Sequence, residues 1–163
     1  FAGLKQYRQA TEDDLLLFAS ATFLGTTVGG NPLLINGVSV PLADNWVLTP
    51  QEQMAIKTAT DAYNTTIAAV AASNPNVALV DFKGVLTEAS SGITFDDYTM
   101  TTSLVTGGLV SLDGVHLTAR GYALMANKIL AAMDAEFGSN FTTATGGLAK
   151  AGNYPTNYSP ALR

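Results

Sequence analysis

Cysteine is absent, which excludes disulfide bonds, thiolate nucleophiles and sulfur-ligated metal sites. Histidine occurs once, at His116, so no second imidazole or thiolate can complete a zinc-type site around it. Charge is also scarce: Asp, Glu, Lys and Arg make up 13% of the chain, about half the usual share. The net charge is −5 and no cluster of Lys and Arg occurs, which argues against a nucleic-acid partner, because phosphates call for a basic stripe. No apolar run approaches the roughly 20 residues that a helix needs to cross a bilayer, so no transmembrane segment is expected. What remains is 47% apolar residues and a polar complement drawn largely from Thr, Ser, Asn and Gly. The 163 residues fit one domain, a length that buries roughly 68–70% of the unfolded surface.

The clearest local signal is Thr49-Pro50-Gln51-Glu52, a capping box with proline at the first helical position. It predicts a helix over about 50–73, with Ile56, Ala59, Tyr63, Ile67 and Val70 on one apolar stripe. Asn74-Pro75-Asn76 ends it, and the run Val77 to Phe82 reads as a buried strand covered on both faces. A second helix is expected over about 119–137, with Thr118 as N-cap and Gly138 as its left-handed C-terminal stop. Its predicted stripe is Tyr122, Met125, Ile129, Met133 and Phe137. Asn36-Gly37 and Gly107-Gly108 each sit between apolar pairs or triplets, as hairpin turns do. The stretch from 142 to 163 is rich in Gly, Thr, Asn and Pro and reads as an irregular strap or a loose end. Helix, buried strand and helix in succession indicate an α/β layered fold with a parallel crossover.

The chemistry concentrates in Ser111-Leu112-Asp113-Gly114-Val115-His116-Leu117-Thr118, directly before the second helix. Gly114 permits a sharp turn, so Asp113 and His116 can fold back on one another. An ionised Asp bonded to one ring nitrogen sets the tautomer and steadies the imidazolium that forms in acyl transfer. The other nitrogen is then free to take a proton from a hydroxyl, a task suited to a group that titrates near neutrality.

Asp113-Gly114-Val115-His116-Leu117-Thr118, followed by Gly121-Tyr122 and an amphipathic helix, resembles the last conserved block of the SGNH (GDSL-type) ester hydrolases. That block commonly carries proline where Leu117 stands. The span from Asn31 to Arg163, with its long helix, Val80-Asp81 strand end and Tyr154-Pro155 tail, is similar to the C-terminal half of a bacterial subgroup. The resemblance implies a three-layer α/β/α sandwich with a mainly parallel sheet, flavodoxin-like, of which residues 1–163 are the C-terminal portion. It implies Asp113 as the orienting acid and His116 as the general base in hydrolysis of a carboxylic ester through an acyl-serine. The substrate would be a small-molecule, lipid or glycan ester. No metal and no organic cofactor is implied, and an extracytoplasmic location, as a periplasmic, secreted or lipoprotein form, is expected.

The family's Gly-Asp-Ser block, which carries the nucleophile, does not occur in these residues. Gly29-Gly30-Asn31-Pro32 has the wrong spacing for the oxyanion-hole block and reads as a turn. Ser111 shows no strand-to-helix elbow and has no nucleophile role in the resemblance. The opening Phe1-Ala2-Gly3-Leu4-Lys5 reads as the middle of a longer protein, whose preceding segment is then the partner that supplies the serine. Asp96-Asp97 reads as a solvated acidic pair and Asp81 as a helix cap. Two rival readings use the same residues: a non-catalytic module that retains an ancestral Asp-x-x-His loop, and one half of a split enzyme. A Gly-Asp-Ser block upstream favours the enzyme, and its absence favours the module.

Overall fold

The structure is a computed structural model, and it describes residues 7–157. The opening residues 1–5 and the last part of the expected tail, 158–163, lie outside the described residues. The chain divides at Thr66/Ile67 into two compact units.

In the first unit, β1 (Leu15–Leu16) pairs antiparallel with β4 (Val47–Leu48), and β2 (Thr27–Val28) pairs antiparallel with β3 (Asn31–Ile35). The turn between β2 and β3 is Gly29-Gly30, both at positive φ, so the expected turn takes only the first half of Gly29-Gly30-Asn31-Pro32, and Asn31 and Pro32 already belong to β3. The hairpin expected about Asn36-Gly37 is instead a tight turn past the end of β3, in which Ser39 and Val40 both donate to the Ile35 carbonyl. The strand that β3 pairs with precedes it rather than follows it.

Helix α1 (Pro50–Ala72) opens on the predicted capping box. The Thr49 amide donates to Glu52 Oε2 at 2.8 Å, and the Glu52 amide returns to Thr49 Oγ1 at 3.4 Å. None of its residues is buried, and Ile56, Tyr63, Ile67 and Val70 are each more than half exposed. The apolar stripe is present but uncovered among the described residues.

Val77 to Phe82 does not form the expected strand. Among the described residues no strand pairs with it, and Asp81 instead caps α2 (Phe82–Ser91) by accepting from the Gly84 amide at 2.8 Å. Without a ladder partner the peptide groups at 77–80 stay irregular, and the short polar side chain of Asp81 recruits the chain after it into a helix. The hairpin of the second unit comes elsewhere, from β5 (Ile93–Phe95) and β6 (Tyr98–Met100), turned by Asp96-Asp97. Gly107 and Gly108 do not form the hairpin expected of them; the Gly107 carbonyl accepts from Thr101 at 2.7 Å, beside β6. Among the described residues all three sheets are two-stranded and antiparallel. The three-layer sandwich with a mainly parallel sheet is therefore not formed by the described residues, whose strands run at most five residues and pair two by two.

Helix α3 (Ala119–Phe137) begins at its predicted cap, where Thr118 Oγ1 accepts from the Gly121 amide at 3.0 Å, and ends at left-handed Gly138. Its buried positions are Arg120, Gly121, Ala123, Leu124 and Met125, not the whole expected stripe. Burial is confined to the first turns, where Tyr122 nevertheless faces out, and Ile129 and Phe137 beyond them remain exposed. Those first turns join Val85 and Ala89 of α2, Ile93, Phe95 and Met100 of the hairpin, Leu109 and Ala151 in one core.

Residues 149–157 are a strap rather than a loose end. Asn127 exchanges two 2.9 Å bonds with the Ala149 backbone, and Asp96 Oδ2 accepts from the Ala151 amide at 2.7 Å. Buried Arg120 lies 3.8 Å over the Tyr98 ring and donates from Nε to the carbonyls of Ala151 and Tyr154. Its own amide donates to Pro155, and Asn157 Nδ2 reaches the Val110 carbonyl at 3.0 Å.

Gly121 is required by close approach. A Cβ there would stand 2.5 Å from the Leu109 carbonyl oxygen and 3.1 Å from Leu117 Cβ. Gly121→Ala is therefore expected to lower stability by roughly 1–3 kcal/mol, the usual cost of overpacking. Urea unfolding checks this, and an unchanged midpoint would contradict the close approach.

Candidate active site

The segment from Gly108 to Thr118 leaves the core, turns, and comes back to it. Leu109 is fully buried, and its carbonyl accepts from the Thr118 amide at 2.9 Å. Thr118 Oγ1 donates to the Gly108 carbonyl at 2.6 Å while capping α3, so one side chain ties both ends of the loop to the helix start. Val110 and Leu117 form an antiparallel bridge, and the Ser111 amide donates to the His116 carbonyl at 2.8 Å. Only Leu112 to Val115 remain to close the turn. Gly114 makes that closure at φ +74, a conformation most L-residues avoid, and its amide donates to the Ser111 carbonyl at 3.0 Å.

Asp113 organises this turn with its own side chain. Oδ1 accepts from the Val115 amide at 2.9 Å, the His116 amide at 2.9 Å and the Ser111 hydroxyl at 2.7 Å. Oδ2 lies 2.7 Å from His116 Nδ1. The Ser111 hydroxyl is the largest influence on the carboxyl, followed by the Val115 amide and the His116 ring and amide; together they hold it well below the ordinary carboxylate range. An ionised carboxylate only accepts, so Nδ1 carries the proton in this contact, and Nε2 of the neutral ring is left with its lone pair. The imidazole is 69% exposed and the carboxylate 52%, and no described residue bonds Nε2. A hydroxyl brought to Nε2 meets a base whose tautomer is already set.

The other candidates lie in structural roles. Asp96 anchors the strap through Ala151 and stands 3.7 Å from Lys150 Nζ. Asp81 caps α2. Asn31 accepts from the Leu33 amide within its own hairpin. Ser111 is hydrogen-bonded to the acid and not to the base. Its attachment to Asp113 was not foreseen from the sequence, although Ser-x-Asp spacing across a turn was the available signal. Buried Arg120, which fastens the strap next to this loop, had no signal at all.

A family model described as GDSL-like Lipase/Acylhydrolase matches residues 4–129, a span that contains Asp113, His116 and Thr118. No curated protein and no solved structure matches the chain.

The depressed carboxyl has a consequence for stability. A folded-state value below the unfolded one, about 3.9, contributes stability above that pH and loses it as the pH falls toward the depressed value. Asp14 and Asp134 are lowered as well, so acid weakens the fold through all three. Asp113→Asn isolates one share. The variant is expected to be less stable than the unsubstituted chain at pH 7, with the difference narrowing by pH 3. Urea unfolding at both values tests this, and a gap that widens in acid would reverse the assignment.

Proposed function

The chain belongs to the GDSL-like lipase/acylhydrolase family, a family of ester hydrolases, and we propose that it supplies the acid and base of a serine-hydrolase triad. The observation that carries this reading is the 2.7 Å contact between Asp113 Oδ2 and His116 Nδ1, on an exposed ring whose Nε2 no described residue bonds. His116 Nε2 takes the proton of a serine hydroxyl as the oxygen attacks the ester carbonyl carbon. It returns that proton to the departing alkoxide, leaving an acyl-serine and an alcohol. In the second half-reaction His116 deprotonates water, which attacks the acyl-serine, and returns that proton to the serine oxygen as the carboxylic acid leaves. Asp113 orients the ring and steadies the imidazolium through both steps without itself taking the proton.

The serine and the oxyanion donors come from polypeptide outside these 163 residues, because no Gly-Asp-Ser block lies within them. The uncovered apolar stripe of α1 supports the reading that these residues are the C-terminal portion of a larger α/β domain.

The 163-residue chain by itself is then expected to hydrolyse p-nitrophenyl acetate no faster than its His116→Ala variant, since loss of even one oxyanion donor costs roughly 10²–10³ in rate. In the protein that also carries the serine, fluorophosphonate labels that serine and His116→Ala reduces turnover to background. Asp113→Asn lowers turnover there by up to about 10⁴-fold, the scale found when a serine protease loses the same tautomer control. Unimpaired turnover in the His116→Ala protein would overturn the reading.

A further inference from the structure

We propose that Ser111 is a positioning residue for the acid: its hydroxyl fixes the Asp113 carboxylate so that Oδ2 is presented to His116 Nδ1. The inference rests on the reading of Asp113 and His116 as orienting acid and base. It assigns Ser111 no contact with the reacting atoms.

The torsion that turns an Asp carboxylate is broad and roughly two-fold, so its orientation has to be imposed by hydrogen bonds. Three donors converge on Oδ1 and a single donor, the His116 ring, on Oδ2. Two of the three are amides of the turn that Asp113 itself nucleates, and they are present whatever stands at 111. The third depends on the side chain at 111 alone, and at 2.7 Å it is the shortest of the three. Ser111 can hold the carboxylate because it is itself held: its amide donates to the His116 carbonyl at 2.8 Å, and its carbonyl accepts from Gly114 at 3.0 Å. The hydroxyl therefore approaches Oδ1 from a backbone position pinned on both sides. Its proton is committed to the carboxylate, which leaves it unsuited to the role of nucleophile. Without it, water competes for Oδ1 at this exposed site, and the carboxylate gains freedom to turn away from Nδ1. The ring then shifts toward the Nε2-protonated tautomer, which has no lone pair at Nε2 with which to act as a base.

His116 is the only histidine, so the ring ¹⁵N–¹H correlations of the labelled 163-residue chain belong to one residue. At a pH where the ring is neutral, the unsubstituted chain is expected to show the Nδ1-protonated pattern with a downfield Nδ1–H resonance. Ser111→Ala is expected to lose that resonance and move toward the Nε2-protonated pattern, while backbone amides outside 108–118 stay in place. Ser111→Thr restores the original pattern, and Ser111→Val, matched to it in shape but lacking the hydroxyl, does not. An unchanged tautomer in Ser111→Ala or in Ser111→Val would overturn the proposal, as would a Ser111→Thr chain that behaves like the alanine variant. The spectrum needs no nucleophile, so its outcome is independent of the turnover assay. Failed hydrolysis in the serine-bearing protein would remove the acyl-transfer reading without altering the tautomer result.

Discussion

Convergence of four donors on one carboxylate is the interaction around which the site is arranged, and it succeeds because all four come from the six residues Ser111 to His116. Each bond at an exposed position is worth little on its own, since water offers nearly the same interaction. Short sequence separation changes the balance. The loop that must close is only a few residues long, so little chain entropy opposes it. Gly114 removes the steric penalty at the one position that needs positive φ. Closing the turn also forms the Asp113–His116 contact, so orienting the base costs little further conformational freedom.

A preformed pair is useful only on a base that does not move, and the core supplies it. Leu109 is buried among Met100, Leu124 and their neighbours, while its carbonyl accepts from the amide of Thr118, the N-cap of α3. Gly121 lets α3 approach that carbonyl closely enough for Thr118 to cap the helix and to bond Gly108 at the same time. Arg120 then carries the linkage outward. Its guanidinium is removed from water, yet it rests on the Tyr98 ring and donates to two strap carbonyls, which offsets the loss of hydration. Asn157, at the end of the described strap, returns to Val110 at the foot of the loop. The loop, the start of α3 and the strap thus form one hydrogen-bonded unit under the candidate base.

The chemistry of the pair follows from this arrangement. An acceptor-only carboxylate sets the proton on Nδ1, and the exposed ring leaves the other nitrogen available. On the proposed reading this is half of a nucleophilic machine. On that reading the other half is a serine hydroxyl and a set of donors for a developing oxyanion, and these 163 residues contain no Gly-Asp-Ser block to carry the hydroxyl. The uneven distribution of burial is in keeping with this. Among the described residues every buried apolar side chain lies beyond residue 84, while α1 carries an apolar stripe with nothing upon it.

What the sequence determined by itself was local. The Thr49–Glu52 box, the Thr118 cap, the Gly138 stop and the Asp113-to-His116 turn all depend on atoms within a few residues of one another, so their spacing along the chain already states their geometry. Asp81 was legible as a cap for the same reason. The tertiary structure decided whatever required a partner from far along the chain. Val77 to Val80 has the composition of a buried strand but no neighbouring strand to pair with among the described residues, and composition cannot supply one. The stripe on α3 was read from period alone, whereas which of its positions are buried depends on where Leu109, the β5–β6 hairpin and the strap meet it. Nothing in the sequence marked Arg120; only the fold brings the Tyr98 ring and the carbonyls of Ala151 and Tyr154 to it, across separations of more than twenty residues. Short-range hydrogen bonds are encoded in spacing, but burial is a property of everything that surrounds a residue, and that is set only when the chain has packed.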